Sequence, residues 1–215
     1  FALMLAAARR VVEGDQMVRE GKFKGWGPEI LLGYPLYGKS LGIIGMGKIG
    51  AAVARRAGGF DMAVLYTSRT RKGRLESQWG IQWQPFETIL KEVDFLCLHV
   101  PGGEEVNHLI GEKEIAQMKS TAIIVNMARG GVIDERAMAR ALQKKQIAAA
   151  ALDVYEGEPD VFPELLKLNN VVLAPHAGSA TFETRERMAV SAAQQIVDVL
   201  DGKNPSHCAN PEVLS

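Results

Sequence analysis

The chain has 215 residues, 47% of them hydrophobic, and its 25 basic side chains are balanced by 25 acidic ones. This length suffices for one well-packed core with at most a small appendage. A net charge near zero provides no extended basic surface, which argues against nucleic acid and anionic membranes as partners. Cys97 and Cys208 have neither metal-ligand spacing nor the density of a disulfide framework, so we expect a reducing, cytoplasmic location and no metal site.

The chain begins with an apolar segment that continues into charged residues, and this pattern predicts one amphipathic helix over residues 3–19. The apolar part is too short to span a membrane and lacks the basic start of a secretory signal. Residues 21–38, rich in Gly and Pro, are predicted to link the helix to the next element. The apolar face of this helix has no clear partner in the sequence, which is typical of an interface.

A short apolar run over residues 41–44 ends in the pattern GxGxxG, formed by Gly45, Gly47 and Gly50. The pattern leads directly into a predicted helix over residues 49–57, and Lys48 and Ile49 lie at its start. A strand, a glycine turn and a helix in this order bind the diphosphate of a dinucleotide, because the turn and the helix N-terminus present backbone N–H groups to the anion. Glycine-rich turns also occur by chance, and a purely structural turn is the alternative.

The next predicted strand, residues 62–66, is followed by a turn that carries hydroxyl and basic side chains. Dinucleotide-binding proteins that use NAD place Asp or Glu at this point, where it binds the ribose 2′-hydroxyl. Here Ser68, Arg69 and Thr70 are followed by two more cations, and no carboxylate lies between Asp61 and Glu76. These side chains suit a 2′-phosphate, so we predict NADP(H) as the cofactor, with NAD(H) possible. The alternative is a solvated basic turn.

Apolar runs and helical patterns alternate along the remaining chain, which predicts an α/β fold with a doubly wound parallel sheet of the Rossmann type. Further strands are predicted at residues 81–84, 94–99, 121–126, 148–153 and 171–174, and further helices at residues 86–93, 113–118, 135–144 and 181–200. Gly202 is the predicted stop of the last helix. Residues 1–202 are therefore predicted to form the nucleotide-binding domain, and residues 203–215 a separate tail.

Ligands of open parallel sheets bind beyond the carboxyl ends of the strands. Arg129, Asp153, Glu158 and His176 each end or follow a predicted strand, so all four are expected at that edge. Taken singly, they also fit a loop ion pair, a surface charge or a structural histidine.

At these residues the chain resembles the D-2-hydroxyacid dehydrogenases, and in particular the glyoxylate/hydroxypyruvate reductases. The matching segments, in the family's order, are residues 41–50, 99–101, 126–135, 152–159 and 175–181. The resemblance implies an oxidoreductase in which hydride passes between a nicotinamide cofactor and a small 2-keto or 2-hydroxy acid. It also implies a homodimer that forms through the nucleotide-binding domain.

The family's catalytic residues fall on Arg129, Glu158 and His176. His176 would protonate the developing oxyanion, Glu158 would hold the imidazole, and Arg129 would bind the substrate carboxylate. Asp153 would contact the nicotinamide end of the cofactor. The remaining positions at which the resemblance implies cofactor contacts are Val100, Pro101, Ala128 and Gly178.

Two departures from the family pattern stand out. Gly102 and Gly103 replace the common Leu-Thr pair, which puts cofactor contacts there in doubt. The family's substrate domain is largely absent from the chain, and residues 204–215 are predicted to form a strand that returns to it. A phosphoglycerate-type dehydrogenase and a nucleotide-sensing corepressor-like scaffold of the same fold remain alternatives.

Overall fold

The structure, a computed structural model, describes residues 1–214. Its sheet has seven strands, all parallel, in the order β3-β2-β1-β4-β5-β6-β7. The strands are β1 (Ser40–Ile44), β2 (Ala63–Thr67), β3 (Gln82–Trp83), β4 (Phe95–Leu98), β5 (Ile123–Asn126), β6 (Ala149–Leu152) and β7 (Val171–Leu173). The strand order reverses at β1, which pairs with β2 on one side and β4 on the other. The Rossmann-type sheet predicted from the sequence is therefore confirmed, and its switch point lies between β1 and β4.

Helices that precede residue 176 cover both faces of the sheet. The helices of the described residues are α1 (Ala2–Ala8), α2 (Val11–Arg19), α3 (Lys48–Ala57), α4 (Gly73–Trp79), α5 (Phe86–Glu92), α6 (Glu112–Ile115), α7 (Glu135–Gln143) and α8 (Phe182–Leu200). Buried residues of α1 and α3 pack with Leu41, Ile43 and Cys97 in one apolar cluster. Buried residues of α5, α6 and α7 pack with Leu96 and Ile124 in the other. The central strands β4, β5 and β6 are buried throughout, because they are covered on both faces, and this explains why they appear in the sequence as continuous apolar runs.

The seven predicted strands and the predicted helices from residue 49 onward are confirmed, with bounds that differ by one to three residues. The sequence analysis missed α4, which lies directly after the basic turn. No helix in the described part of the chain combines the length and the apolar character needed to cross a membrane.

The single helix predicted over residues 3–19 is wrong, because the structure breaks it at Arg10. Arg10 has φ 53°, in the left-handed region, and separates α1 from α2. The carbonyl of Ala8 accepts a hydrogen bond from the backbone N–H of Tyr34 at 2.8 Å. A Cβ on Gly33 would collide with the same carbonyl. The segment after α2 thus packs against the helix at this point, and this tertiary contact accompanies the break.

The chain forms two compact units, residues 1–175 and 176–215. In the second unit, the Thr181 hydroxyl caps α8 by accepting from the backbone N–H of Thr184 at 3.2 Å, and no residue of α8 is buried. Gly202 follows the helix at φ 71°, as its predicted role as a stop requires. The domain division expected between residues 202 and 203 stays a prediction.

The strand predicted in the tail is wrong for the residues that the structure describes. Residues Pro211–Leu214 form a 3₁₀ turn, and Ser215 lies outside the described residues. A strand needs a neighbour to satisfy its backbone groups, and proline supplies no N–H for such pairing.

Candidate functional site

The glycine turn after β1 has the geometry that the GxGxxG pattern predicts. Gly45 has φ 97°, and a Cβ there would lie 2.5 Å from the carbonyl oxygen of His99 at the end of β4. A Cβ on Gly50 would collide with the carbonyl oxygen of Gly45. A Cβ on Gly47, the N-cap of α3, would meet no atom within 4 Å. Two glycines are thus required for backbone packing, while the third leaves open space at the helix N-terminus, where a diphosphate fits.

Lys48 and Ile49 are exposed in the first turn of α3, beside this open space. An exposed isoleucine at the start of an otherwise amphipathic helix is compatible with contact to an apolar part of a ligand. Val100 is partly buried and Pro101 is exposed after β4, on the other side of the turn.

His99, between β4 and Val100, is partly buried, and both nitrogens of its imidazole are inaccessible to solvent. Within residues 1–214, neither ring nitrogen has a hydrogen-bond partner. Burial lowers the pKa of His99 to about 4. The ring is therefore neutral at pH 7, with one N–H donor and one acceptor available to a partner.

The basic turn after β2 is less cationic than its sequence indicates. Arg71 forms a bidentate pair with Glu76, with nitrogen–oxygen distances of 2.8–3.1 Å, and the Tyr66 hydroxyl donates to the same carboxylate at 2.7 Å. These bonds lower the pKa of Glu76 to about 2, the bond from Arg71 having the largest effect. Ser68 Oγ donates to the carbonyl of Thr70 at 2.8 Å, which shapes the turn.

Arg69 is the most exposed cation of this turn, with 81% of its side chain exposed against 67% for Arg71. Its guanidinium lies 3.4 Å from the carboxylate of Glu105, which belongs to the loop after β4. Glu105 is itself exposed. The predicted ligands of the 2′-phosphate, Ser68, Arg69 and Thr70, lie on this one turn. Arg71, in contrast, is paired with Glu76.

The loop that carries Arg129 is ordered by Asn126, the buried last residue of β5. Its amide group donates to the carbonyl of Arg129 and accepts from the backbone N–H of Ala128, both at 3.0 Å. Ala128 is buried, whereas the Arg129 side chain is exposed and donates to the Ala128 carbonyl at 2.7 Å. A Cβ on Gly130 would collide with the backbone of Tyr155, so this loop packs directly on the one after β6.

Asp153 and Glu158 lie in that second loop. Asp153 is buried at the end of β6, and its backbone N–H donates to the Asn126 carbonyl at 3.1 Å. The Glu158 carboxylate accepts from the backbone N–H of Tyr155 at 3.0 Å. Arg129, Asp153 and Glu158 thus lie on two adjacent loops at the carboxyl ends of β5 and β6, as expected from the sequence.

A pair of carboxylates ties this loop to the start of α7. Glu135 and Glu156 each accept from the other's backbone N–H at 2.9 Å, and His108 lies 3.3 Å from Glu156. Burial raises the pKa of Glu135, which is 5% exposed. The network joins the loops after β4, β5 and β6, because the backbone N–H of His108 also donates to the carbonyl of Gly131 at 2.7 Å.

A cavity of about 380 Å³ opens beside Arg129. Its wall includes Gly102, Gly103, Asn107 and Gly131. A Cβ on Gly102 would lie 3.0 Å from Cγ of Arg129, and Gly103 has φ 150°. The two glycines that depart from the family pattern therefore face the proposed substrate-binding arginine. Among the described residues, no group of three or more His, Cys, Asp or Glu side chains is arranged to hold a metal ion.

His176 and Gly178 belong to the second compact unit. His176 is its first residue, has φ 52° and is exposed, and Gly178 is exposed as well. The roles of these residues, like those of the predicted residues in the first unit, stay predictions.

Residues 1–178 match the model of the family described as D-isomer specific 2-hydroxyacid dehydrogenase, NAD binding domain. The chain belongs to the D-isomer specific 2-hydroxyacid dehydrogenase family. It is 52% identical over 217 residues to the glyoxylate reductase of Korarchaeum cryptofilum and 51% identical over 219 residues to that of Thermococcus litoralis. These alignments cover 100% of the chain but 65% and 66% of the two relatives, so the chain spans slightly less than two thirds of their length.

Among solved structures, the TT0316 protein of Thermus thermophilus matches with a TM-score of 0.90 and 43% identity. This match covers 96% of the chain and 65% of the other protein. The resemblance inferred from the sequence motifs is thus confirmed at the level of the 2-hydroxyacid dehydrogenase family and its NAD-binding domain.

Sequence reasoning missed several residues that shape this dehydrogenase domain. The role of Asn126 could have been predicted, because an Asn at the end of a strand often accepts a hydrogen bond from the backbone N–H two residues later and so forms an Asx turn. In the sequence, Glu76 only ends a stretch without carboxylates. Its pairing with Arg71 depends on helix α4, which carries Glu76 and has no clear signal in the sequence. Glu105 and Glu156 act across loops distant in sequence, for which the sequence carries no local signal.

Proposed function

We propose that the chain is the cofactor-binding part of an NADPH-dependent oxidoreductase that reduces a small 2-keto acid. The observation that supports this most directly is the glycine turn at the switch point of the sheet. Its open face at Gly47 lies at the same edge as the loops of Arg129 and Glu158. When bound, the cofactor supplies the hydride, and the residues of the chain bind the substrate and manage its charge and proton.

Each proposed catalytic residue has a defined task. The guanidinium of Arg129 binds the substrate carboxylate and polarises the keto oxygen. His176 donates the proton that the oxygen needs as negative charge develops on it. The role proposed for Glu158 is to hold the imidazole in the orientation that this proton transfer needs. The Glu135–Glu156 pair supports this arrangement, because it fixes the loop that bears Glu158.

The cofactor contacts we propose begin with the glycine turn and the turn after β2. Gly45, Gly47, Lys48, Ile49 and Gly50 form the cofactor-binding turn, in which Gly47 and Lys48 face the diphosphate, Ile49 contacts an apolar part of the cofactor, and Gly45 and Gly50 allow the close packing of the turn. Ser68, Arg69 and Thr70 bind the 2′-phosphate. The nicotinamide end is held by Val100, Pro101, Ala128, Asp153 and Gly178. The neutral ring of His99, with its unpartnered nitrogens at the same edge, is compatible with a polar ligand there.

Glyoxylate or hydroxypyruvate is the substrate that we favour. The relatives with about half of their residues identical are named glyoxylate reductases. The guanidinium of Arg129 and the cavity of about 380 Å³ beside it are compatible with a small carboxylic acid. We further propose a cytoplasmic homodimer that forms through the nucleotide-binding domain.

Two measurements test this proposal. Calorimetric titration of the chain should show tighter binding of NADPH than of NADH, and Arg69→Ala should remove that preference. The full-length protein should oxidise NADPH when glyoxylate is added. Arg129→Lys should lower kcat/KM by about 10²–10³-fold, because lysine cannot reproduce the bidentate contact to the substrate.

Arg140→Lys is the matched control for the Arg129 variant, because Arg140 is an exposed arginine on α7 whose partner is Glu112 at 3.4 Å. It should leave kcat/KM unchanged. Cofactor binding without NADPH oxidation by any 2-keto acid would instead favour the nucleotide-sensing scaffold of the same fold.

A further inference from the structure

The Arg69–Glu105 ion pair connects the two loops that flank the glycine turn. Arg69 follows β2 and Glu105 follows β4, and these strands are the two neighbours of β1 in the sheet. The turn at Gly45–Gly47 therefore lies between the two loops. The pair joins opposite sides of the crevice in which the dinucleotide is proposed to bind.

Of the two arginines in the basic turn, Arg69 is the one whose carboxylate partner a phosphate can replace. Arg71 is held by Glu76 through a bidentate pair, and Glu76 is also bonded to Tyr66. The Arg69–Glu105 separation of 3.4 Å is longer than a strong charge-assisted hydrogen bond, and both side chains are mostly exposed. Exposed pairs of this kind contribute about 0.2–1 kcal/mol, so an incoming phosphate can displace the carboxylate.

The position of Glu105 depends on the glycine pair that departs from the family pattern. Gly103 has φ 150°, a conformation that residues with a side chain rarely adopt, and a short 3₁₀ turn, Glu104–Val106, follows it. The glycine at position 103 therefore allows the backbone conformation that places the carboxylate of Glu105 next to Arg69.

We propose that Glu105 is a resident counter-ion of Arg69 that competes with the 2′-phosphate of NADPH. This inference rests on the proposed NADP(H) site. Binding of NADPH exchanges the carboxylate for a phosphate on Arg69 and leaves the charge of Glu105 close to the new anion. NADH carries a hydroxyl at this position, so the ion pair persists. Glu105 thereby weakens NADPH binding selectively and reduces the preference for NADPH over NADH that Arg69 alone would give.

Glu105→Gln tests this role by calorimetric titration of the chain with NADPH and NADH. The variant should bind NADPH about two- to fivefold more tightly, which corresponds to the free energy of an exposed ion pair, and should bind NADH as the parent does. Glu104→Gln is the matched control. It removes the same charge from the adjacent exposed residue, which is not the carboxylate that pairs with Arg69. In the Arg69→Ala background, Glu105→Gln should no longer improve NADPH binding.

The outcomes separate this inference from the proposed function. If Arg69→Ala weakens NADPH binding selectively but Glu105→Gln behaves like Glu104→Gln, the counter-ion role is refuted and the NADP(H) site stands. If the parent chain and Arg69→Ala both bind the two cofactors equally, the NADP(H) site and the counter-ion role fail together. A selective gain for NADPH in Glu105→Gln that disappears in the double variant supports the proposal.

Discussion

At the scale of single residues, the imidazole of His99 has two buried nitrogens that form no hydrogen bond with any described residue. An imidazole whose nitrogens are both buried and unpartnered costs free energy, because it has lost its hydrogen bonds to water. The cost is smallest when the ring is neutral, and this is why burial holds its pKa at about 4. Such a group persists where a partner outside these residues, such as a bound ligand, can satisfy it.

His99 should make the stability of the chain depend on pH. The folded-state pKa of about 4 lies below the ordinary value near 6.5, so the unfolded state binds more protons between these values. Stability is therefore retained above pH 6.5 and falls as the pH is lowered from 6.5 toward 4, by about 3 kcal/mol at most. In urea unfolding at pH 8 and pH 5, His99→Leu should lose less stability between the two values than the parent chain.

His207→Leu serves as the control for this experiment, because it removes an exposed imidazole from the tail. An equal loss of stability with decreasing pH in the parent and in His99→Leu would refute the assignment of this dependence to His99.

At the scale of elements, the strand–turn–helix unit of β1 and α3 depends on close backbone packing at Gly50. Gly50→Ala should push α3 away from the glycine turn, because the new Cβ meets the carbonyl of Gly45. We expect a loss of about 1–3 kcal/mol in the free energy of unfolding, together with weaker NADPH binding. Gly58→Ala is the matched control at the other end of the helix. Its φ of −58° suits alanine and its Cβ meets nothing within 4 Å, so stability should be unchanged or slightly higher.

Denaturation and calorimetry of the two variants check this prediction. Equal stabilities of Gly50→Ala and Gly58→Ala would contradict the packing argument. Loss of binding in Gly50→Ala at unchanged stability would instead place the effect on the cofactor alone.

The sequence predicted the elements well wherever one local signal determined them. Buried strands appear as apolar runs, and the GxGxxG pattern has a backbone requirement at Gly45 and Gly50. The break at Arg10 could not be predicted, because it accompanies contact between Ala8 and a segment 26 residues later, at Tyr34. The charge of the basic turn was overestimated for a similar reason, since Arg71 is neutralised by a carboxylate on a helix that had no clear pattern. Relations between loops, such as Arg69 with Glu105, depend on strand order and therefore on the whole sheet.

At the scale of the whole molecule, the surface of the first unit argues for association with a second copy. Apolar side chains are exposed along α2 and the segment that follows it, and Trp26 is 88% exposed. The others in this group are Val11, Val12, Val18, Phe23, Ile30, Leu32, Tyr34 and Tyr37. A contiguous stretch with so many exposed apolar side chains is typical of an interface and would be costly to leave in water.

We therefore expect the chain to be a dimer by light scattering coupled to size-exclusion chromatography. Trp26→Arg should shift it toward monomer, because a charge in the centre of an apolar interface loses its hydration without gaining a partner. Phe182→Arg is the matched control, since it makes the same kind of change at a side chain that is 95% exposed in the other unit. It should leave the mass unchanged. A parent chain that elutes as a monomer at all concentrations would refute the prediction, because two copies of the chain would then not associate through this surface.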